Sequence, residues 1–228
     1  MKKLGDTPSS VLQMSQLAGY AGVSPQFLHS CLALLLAYSL GAIPFGYLLV
    51  KATTGRDVRA VGSGNIGATN VLRAASRGLA IVTLLLDIAK GWLAVWVAGA
   101  LTGGSALWMS AAALAVMAGH AFPVFLKFRG GKAVASCVGA FLYLAPLPLG
   151  VALCVFVVVV ARTRHISLGS ISAAATLPLA VALIARPAWP VSAAALVAGI
   201  FIIWRHRENI ARLRAGTENV FSFGGRRS

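Results

Sequence analysis

The sequence predicts an all-α, polytopic integral membrane protein of about seven transmembrane helices, with the amino terminus outside and the carboxyl terminus in the cytoplasm. Three observations carry this expectation. Of the 228 residues, 58% are hydrophobic and only 11% charged, whereas a soluble domain carries about a quarter charged residues. The apolar residues gather in runs of the length a helix needs to cross a bilayer, about 20 residues. The Lys and Arg residues fall between those runs. Their excess, a formal net charge of +15, therefore speaks first of topology and then of anionic ligands, not of nucleic acid.

Residues 1–27 contain Ser, Gly and Gln among mildly apolar residues. They are read as an amino-terminal surface extension, partly disordered, with no signal-peptide pattern after Lys2 and Lys3. Cys31 to Val50 is the first apolar run and is free of charge. Gly78 to Leu101 is the second, interrupted by Asp87 and Lys90. Gly104 to Leu126 is the third, with His120 near its end. The uncharged stretch Ala133 to Ala161 is long for one helix and short for two, and Pro146 and Pro148 break it, because proline lacks a backbone donor and clashes with the preceding turn. Ile166 to Ala185 and Pro187 to Trp204 complete the set.

Charge placement decides the count. If Ala133 to Ala161 crosses twice, 16 of the 20 Lys and Arg residues share one face, and Lys2, Lys3, Arg186 and the intramembrane Lys90 are the exceptions. The positive-inside rule makes that face cytoplasmic. Cys31, Cys137 and Cys154 sit inside apolar runs without metal or disulfide spacing and read as small buried hydrophobes. The organisation is one membrane-embedded domain, 28–218, followed by a basic tail, 219–228, with no internal repeat and no soluble second domain.

Three polar segments stand where chemistry is expected. The first, Gly55 to Arg73, reads GRDVRAVGSGNIGATNVLR. Gly62, Gly64 and Gly67 permit positive φ and close backbone approach to an anion. Ser63, Asn65, Thr69 and Asn70 add neutral donors, and Arg59 or Arg73 a planar charged fork. The second, Gly119 to Ser136, places Gly130, Gly131 and Lys132 before an apolar helix, which is a ready anion site. It is not a Walker A loop, because the spacing is absent and Ala133 stands where Ser or Thr is required. In this segment His120 reads as a hydrogen-bonded structural histidine. The third, Trp204 to Asn219, continues the last helix out of the membrane and puts His206, Asn209 and Leu213 on one face. A basic helix binding anionic headgroups explains its arginines but not His206 and Asn209. Asp87 and Lys90, three residues apart at depth, fit either a structural ion pair or a polar cavity.

The acidic residues are too few for a metal cluster, and no Cys/His spacing suits zinc. No metal and no cofactor is expected. The chemistry rests on positioning and positive charge, with His206 the one obvious side-chain base.

On these residues the sequence resembles the bacterial acyl-phosphate:glycerol-3-phosphate acyltransferase family. GSGNIGATN with Arg73, HAFPVFLKFRGGKAVAS and RHRENIARLRAGTE match that family's three signature motifs in order, over roughly Cys31 to Glu218, together with the IPFG of the first span and DIAKG of the second. The resemblance implies a seven-span enzyme of the bacterial inner membrane with a cytoplasmic active site. It would transfer a fatty acyl group from acyl phosphate to the 1-hydroxyl of glycerol 3-phosphate, giving 1-acylglycerol 3-phosphate and phosphate, the first acylation of phospholipid synthesis. Its partners would be those two substrates, membrane lipid and the enzyme that supplies acyl phosphate. By position it implies catalytic roles for Ser63, Arg73, Lys132, His206 and Asn209. It implies phosphate binding around Gly62, Gly64, Asn65, Thr69, Asn70, Gly130 and Gly131, and a structural role for Glu218.

Two departures matter. The family usually has Gly where Ala133 stands and often Ser where Ala42 stands. Ala133 is read as already beginning the helix, where alanine is benign; at positive φ its Cβ would carry a cost. The competing readings are a transporter or channel for a phosphate ester, which calls for polar groups across the midplane and inverted repeats, and a non-catalytic scaffold holding anionic lipid.

Overall fold

The structure is a computed structural model that describes residues 24–221. The extension up to residue 23 and the tail from 222 onward lie outside the described residues. Every regular element among the described residues is helical.

The first apolar run forms two helices, α1 (Pro25–Ala42) and α2 (Phe45–Thr54). Helix α1 starts inside the expected surface extension, because Ser24 caps it by accepting from the Phe27 N–H and Pro25 occupies the first turn, where its missing donor costs nothing. The break at Ile43–Pro44 was not expected in a charge-free run. Proline supplies no N–H, and the carbonyls freed at the break are taken by the Lys90 ammonium, 2.9 Å from both Gly41 O and Ile43 O.

After a short 3-10 turn (Val58–Ala60) and helix α3 (Ala68–Ala74), the long helix α4 (Arg77–Leu101) follows. Its 25 residues extend about 37 Å, more than the hydrocarbon thickness. Helix α5 (Ala106–Ala121) leads through a second 3-10 turn (Val124–Leu126) to the glycine turn before α6 (Val134–Leu144). The proline break expected at the middle of Ala133–Ala161 is present: Ala145 has φ −155°, and α7 (Pro146–Thr163) begins with proline in its first turn. Helix α6, 11 residues long, reaches only about 16 Å, half a bilayer core. Helix α8 (Ile166–Ala180) carries Pro178 inside it and ends in a π turn (Val181–Ala185), the wider winding that accommodates such interruptions. Helix α9 (Trp189–Arg205) bends by 55° into α10 (Arg207–Arg214).

Among the described residues, five helical segments are long and apolar enough to cross a membrane: Pro25–Thr54, Arg77–Leu101, Ala106–Leu126, Pro146–Thr163 and Ile166–Ala185. The bent pair α9–α10 makes a sixth, and α6 is the shorter apolar helix. The outward faces are greasy, with Leu35, Leu85, Val157 and Leu183 all more than half exposed. Such a surface is stable only where hydrocarbon replaces water. Inside, helices α1, α4 and α5 meet through Ala33, Ala37, Ala94, Ala98 and Ala112, small side chains that let backbones approach where apolar burial alone gives no drive. A larger cluster joins α4 to α9 around Phe141, Leu149, Leu177 and Ile202. Of the three cysteines only Cys137 is buried; Cys31 and Cys154 face outward, since each lies on a helix face directed away from the core.

Candidate active site

The three polar segments, far apart in the sequence, line one cavity of about 480 Å³. Its head is formed by Ser63, Asn65, Thr69 and Arg73 from the first segment, Lys132 and Ala133 from the second, and His206 and Asn209 from the third.

The first segment is shaped by Asn70. Its buried amide donates to the carbonyls of Val58, Val61 and Asn65 at 2.8–3.0 Å and accepts from the Ser63 N–H at 3.0 Å. Both of its N–H donors are thereby engaged in folding the loop, so it shapes the cavity wall by holding the loop. Gly62 and Gly64 take φ of 59° and 67°, as expected, but face away from the cavity and make the turns that bring Ser63 inward. The Ser63 hydroxyl makes no hydrogen bond among the described residues. Arg59 is engaged elsewhere, on Asp57 at 2.7 Å and over the Tyr47 ring, so Arg73 is the guanidinium that reaches the cavity.

The second segment departs from expectation. The N–H groups of Gly130 and Gly131 are tied to the carbonyls of Ala121 and His120, at 3.1 and 3.0 Å, and cannot cradle a phosphate. Their carbonyls are clamped from the other side by the Arg205 guanidinium, 2.8 Å from Gly131 O at its nearest. The open backbone donors begin two residues later, at the first turn of α6, where Ala133, Val134 and Ala135 line the cavity and no side chain caps the helix. Helix α3 likewise starts uncapped, with Gly67, Ala68 and Thr69 on the cavity wall.

Ala133 precedes α6 with φ 60° and ψ 12°, in the left-handed region. It does not begin the helix, as the sequence reading held, because the chain must reverse sharply out of the clamped glycine turn. The Cβ there costs about 1–2 kcal/mol, partly offset by the lower unfolded-state entropy of alanine. Ala133→Gly is expected to stabilise the protein by about 0.5–1 kcal/mol, read as a higher unfolding midpoint in detergent.

The third segment does not continue α9 as a straight helix. At His206 the backbone N–H is shared between the Ile202 and Ile203 carbonyls, and the ring Nδ1 donates to Ile202 O at 2.8 Å. That fixes the tautomer, because a carbonyl only accepts, and leaves Nε2 as an acceptor toward the cavity. Burial, reinforced by the nearby Lys132 ammonium, pushes His206 down to about 4, so the ring is neutral at physiological pH. Leu213, expected on the same face, is absent from the cavity wall.

Asn209 links the segments. Its Oδ1 accepts a short hydrogen bond from Lys132 Nζ, and its Nδ2 donates to Glu218 Oε1 at 2.7 Å. Glu218 also accepts from Ser167 at 3.0 Å and pairs with Arg212 at 2.8 Å. Burial alone would raise its pKa, but these three donors outweigh it and hold the carboxyl below its ordinary value. Lys132 is pushed down to about 8 by burial, opposed by Glu218. Asn219 and Phe221 also line the cavity, so the wall extends past the expected domain end at 218.

Beyond the head the walls are mostly apolar. Ser167 and Ser170 lead into Ala174 and Leu177 along α8, and Leu149, Leu153 and Phe156 line α7. From Ser167 to Leu177 the wall runs about 15 Å at helical rise. Sequence reasoning missed Arg205, Ser167 and Arg212. The arginines are indistinguishable from the rest of a basic juxtamembrane cluster, and Ser167 carries no motif.

A family model described as glycerol-3-phosphate acyltransferase matches residues 31–216. A glycerol-3-phosphate acyltransferase of Geobacter metallireducens is 53% identical over 186 residues, covering 81% of this chain and 94% of that protein. Another, of Geobacter sulfurreducens, is 50% identical over 186 residues, covering 82% and 94%. The crystal structure of PlsY (YgiH), an integral membrane glycerol 3-phosphate acyltransferase, in its glycerol 3-phosphate form superimposes with a TM-score of 0.80 at 36% identity, covering 85% of this chain and 96% of that one. Its lysophosphatidic acid form gives 0.77 at 34% identity, covering 85% and 95%. Matches of this length and identity, on a shared helical fold, mean that the chain belongs to the glycerol-3-phosphate acyltransferase family of integral membrane enzymes.

Proposed function

We propose that the chain transfers a fatty acyl group from acyl phosphate to the 1-hydroxyl of glycerol 3-phosphate, releasing 1-acylglycerol 3-phosphate and inorganic phosphate. The observation that carries the reading is a single cavity whose head holds Ser63, Arg73, Lys132, His206 and Asn209 and whose body is an apolar slot between α7 and α8. The head suits two phosphates, and the slot suits one acyl chain.

In the reaction the glycerol hydroxyl oxygen attacks the acyl carbonyl carbon, the carbon–oxygen bond to phosphate breaks, and phosphate leaves. Lys132, Arg73 and the Ser63 hydroxyl offset the charge on the carbonyl oxygen and departing phosphate. The open first turns of α3 and α6 supply backbone donors to the same anions. His206 Nε2 accepts from the attacking hydroxyl and aligns it. The proton ends on a phosphate oxygen, because a phosphate with a second pKa of about 6 is a stronger base than an imidazole pushed down to about 4. Asn209 holds Lys132 in place through its carbonyl, and Glu218 holds Asn209.

We further propose seven crossings, with the amino terminus outside and the cavity head facing the cytoplasm of a bacterial inner membrane. The distribution of Lys and Arg supports this, and it requires the seventh crossing to fall at α6, whose shortness a locally thinned bilayer accommodates. Residues 28–218 form the bulk of the catalytic domain, and the enzyme that makes acyl phosphate is the natural supplier at that face. The test is release of phosphate by the purified protein in lipid given both substrates. Turnover that needs both, with acylated product matching phosphate released, supports the reading. Passage of labelled glycerol phosphate across proteoliposomes without acyl product would replace it with a transporter.

A further inference from the structure

At one wall of the cavity, and just behind it, lie three ionisable side chains that the acyl-transfer reading leaves without a role. Asp87, Lys90 and His120 are each 4% exposed or less, and Asp87 and His120 line the cavity. The Lys90 ammonium is accounted for by the Gly41 and Ile43 carbonyls and by Asp87 Oδ1 at 2.9 Å. His120 Nδ1 has no hydrogen-bond partner among the described residues, yet it faces the Lys90-paired Asp87 Oδ1 at 3.6 Å. An orphaned buried polar atom costs about 1–3 kcal/mol, so a buried ring nitrogen turned toward a carboxylate, just beyond bonding range, marks a contact with a purpose.

The opposite edge of the His120 ring shows what that purpose is. A Cβ on Gly131 would lie 2.0 Å from His120 Nε2, so the ring rests directly on the Gly131 backbone. The Gly131 N–H returns to the His120 carbonyl, and Arg205 holds the Gly131 carbonyl from the far side. The residue immediately before Lys132 is therefore fixed by a wedge on one side and a clamp on the other.

We propose that Asp87 and His120 are a positioning pair for the phosphate-binding cation: the carboxylate steadies the imidazole, the imidazole sets the Gly131 backbone, and that backbone fixes how far Lys132 reaches into the cavity. Neither residue touches the reacting atoms. The pair acts on recognition of the polyol phosphate, whereas Lys90 mends the break in the first span. The inference rests on the acyl-transfer reading for its substrate but not for its geometry.

The experiment compares wild type, Asp87→Asn, His120→Gln and their double variant, with unfolding midpoints measured alongside. The expected result is a KM for glycerol 3-phosphate raised about tenfold in each single variant, with kcat and the KM for acyl phosphate held within about twofold. The double variant is expected to be no worse than the poorer single one, because both act through one contact. A second cycle covers variants that fold poorly. Gly131→Ala alone places a methyl group against the ring and weakens binding, whereas adding it to His120→Ala costs little more. Loss of kcat, equal losses for both substrates, or an unchanged KM for glycerol 3-phosphate would overturn the pair. Titration of inorganic phosphate onto the same proteins reads the positioning without turnover. If wild type binds phosphate but does not acylate glycerol 3-phosphate, the acyl-transfer reading fails, and the pair stands or falls on whether its variants bind phosphate more weakly.

Discussion

Lys132→Ala is expected to lower kcat/KM for glycerol 3-phosphate by about 10²–10³-fold, the range for removing a preorganised charge from a transition state. The pH dependence gives a sharper signature. Burial brings the Lys132 ammonium down to about 8, so it is charged below that pH and loses its proton as pH rises through it. In the free enzyme kcat/KM then falls about tenfold per pH unit above 8. Lys132→Arg keeps its charge at any accessible pH and is expected to lose that alkaline limb while keeping only part of the activity, because a fork does not fit where a point charge meets Asn209. On the acid side His206, down at about 4, contributes no limb above about pH 5. Any acid limb near pH 6 belongs to substrate phosphate and is expected to survive His206→Gln. Rates measured from about pH 6 to 9.5 decide both points. An alkaline limb that persists in Lys132→Arg would remove Lys132 from the assignment.

Glu218→Ala is expected to destabilise the protein by about 2–3 kcal/mol and to abolish turnover. It removes the acceptor shared by Asn209, Ser167 and Arg212 and leaves their donors facing one another. The cost stays below that of a fully enclosed pair because Arg212 is about one-third exposed. Glu218→Gln is expected to fall between, since its amide keeps one acceptor but turns a donor toward a donor. The sign with pH follows from the depressed carboxyl. Its stabilisation is complete above the ordinary value of 4.5 and is lost as pH falls below that toward the lowered value. Unfolding midpoints down to about pH 3 should therefore converge between wild type and Glu218→Gln. Midpoints that stay parallel would show that the carboxylate is not the support.

Membrane residence, the apolar runs and the break before Pro146 are legible in the linear chain. Lipid offers no backbone partners, so crossing segments must be long, apolar and helical, and proline announces its missing donor wherever it stands. That Ser63, Arg73, Lys132, His206 and Asn209 belong together is legible as well, because each stands out as a polar residue at the end of an apolar run, and all five line one cavity. The expected likeness in three motifs meets in one cavity.

Other features depend on partners distant in sequence. The bend at Pro44 persists because Lys90, 47 residues beyond Ile43, takes its carbonyl. Gly130 and Gly131 look like phosphate ligands until His120, Ala121 and Arg205 engage their backbone. Ala133 looks like a helix residue until the clamped turn forces its φ to 60°. Local composition sets which solvent a segment needs and where a helix must stop. Which group satisfies a given N–H, carbonyl or charge is settled by contacts that exist only once the helices have packed.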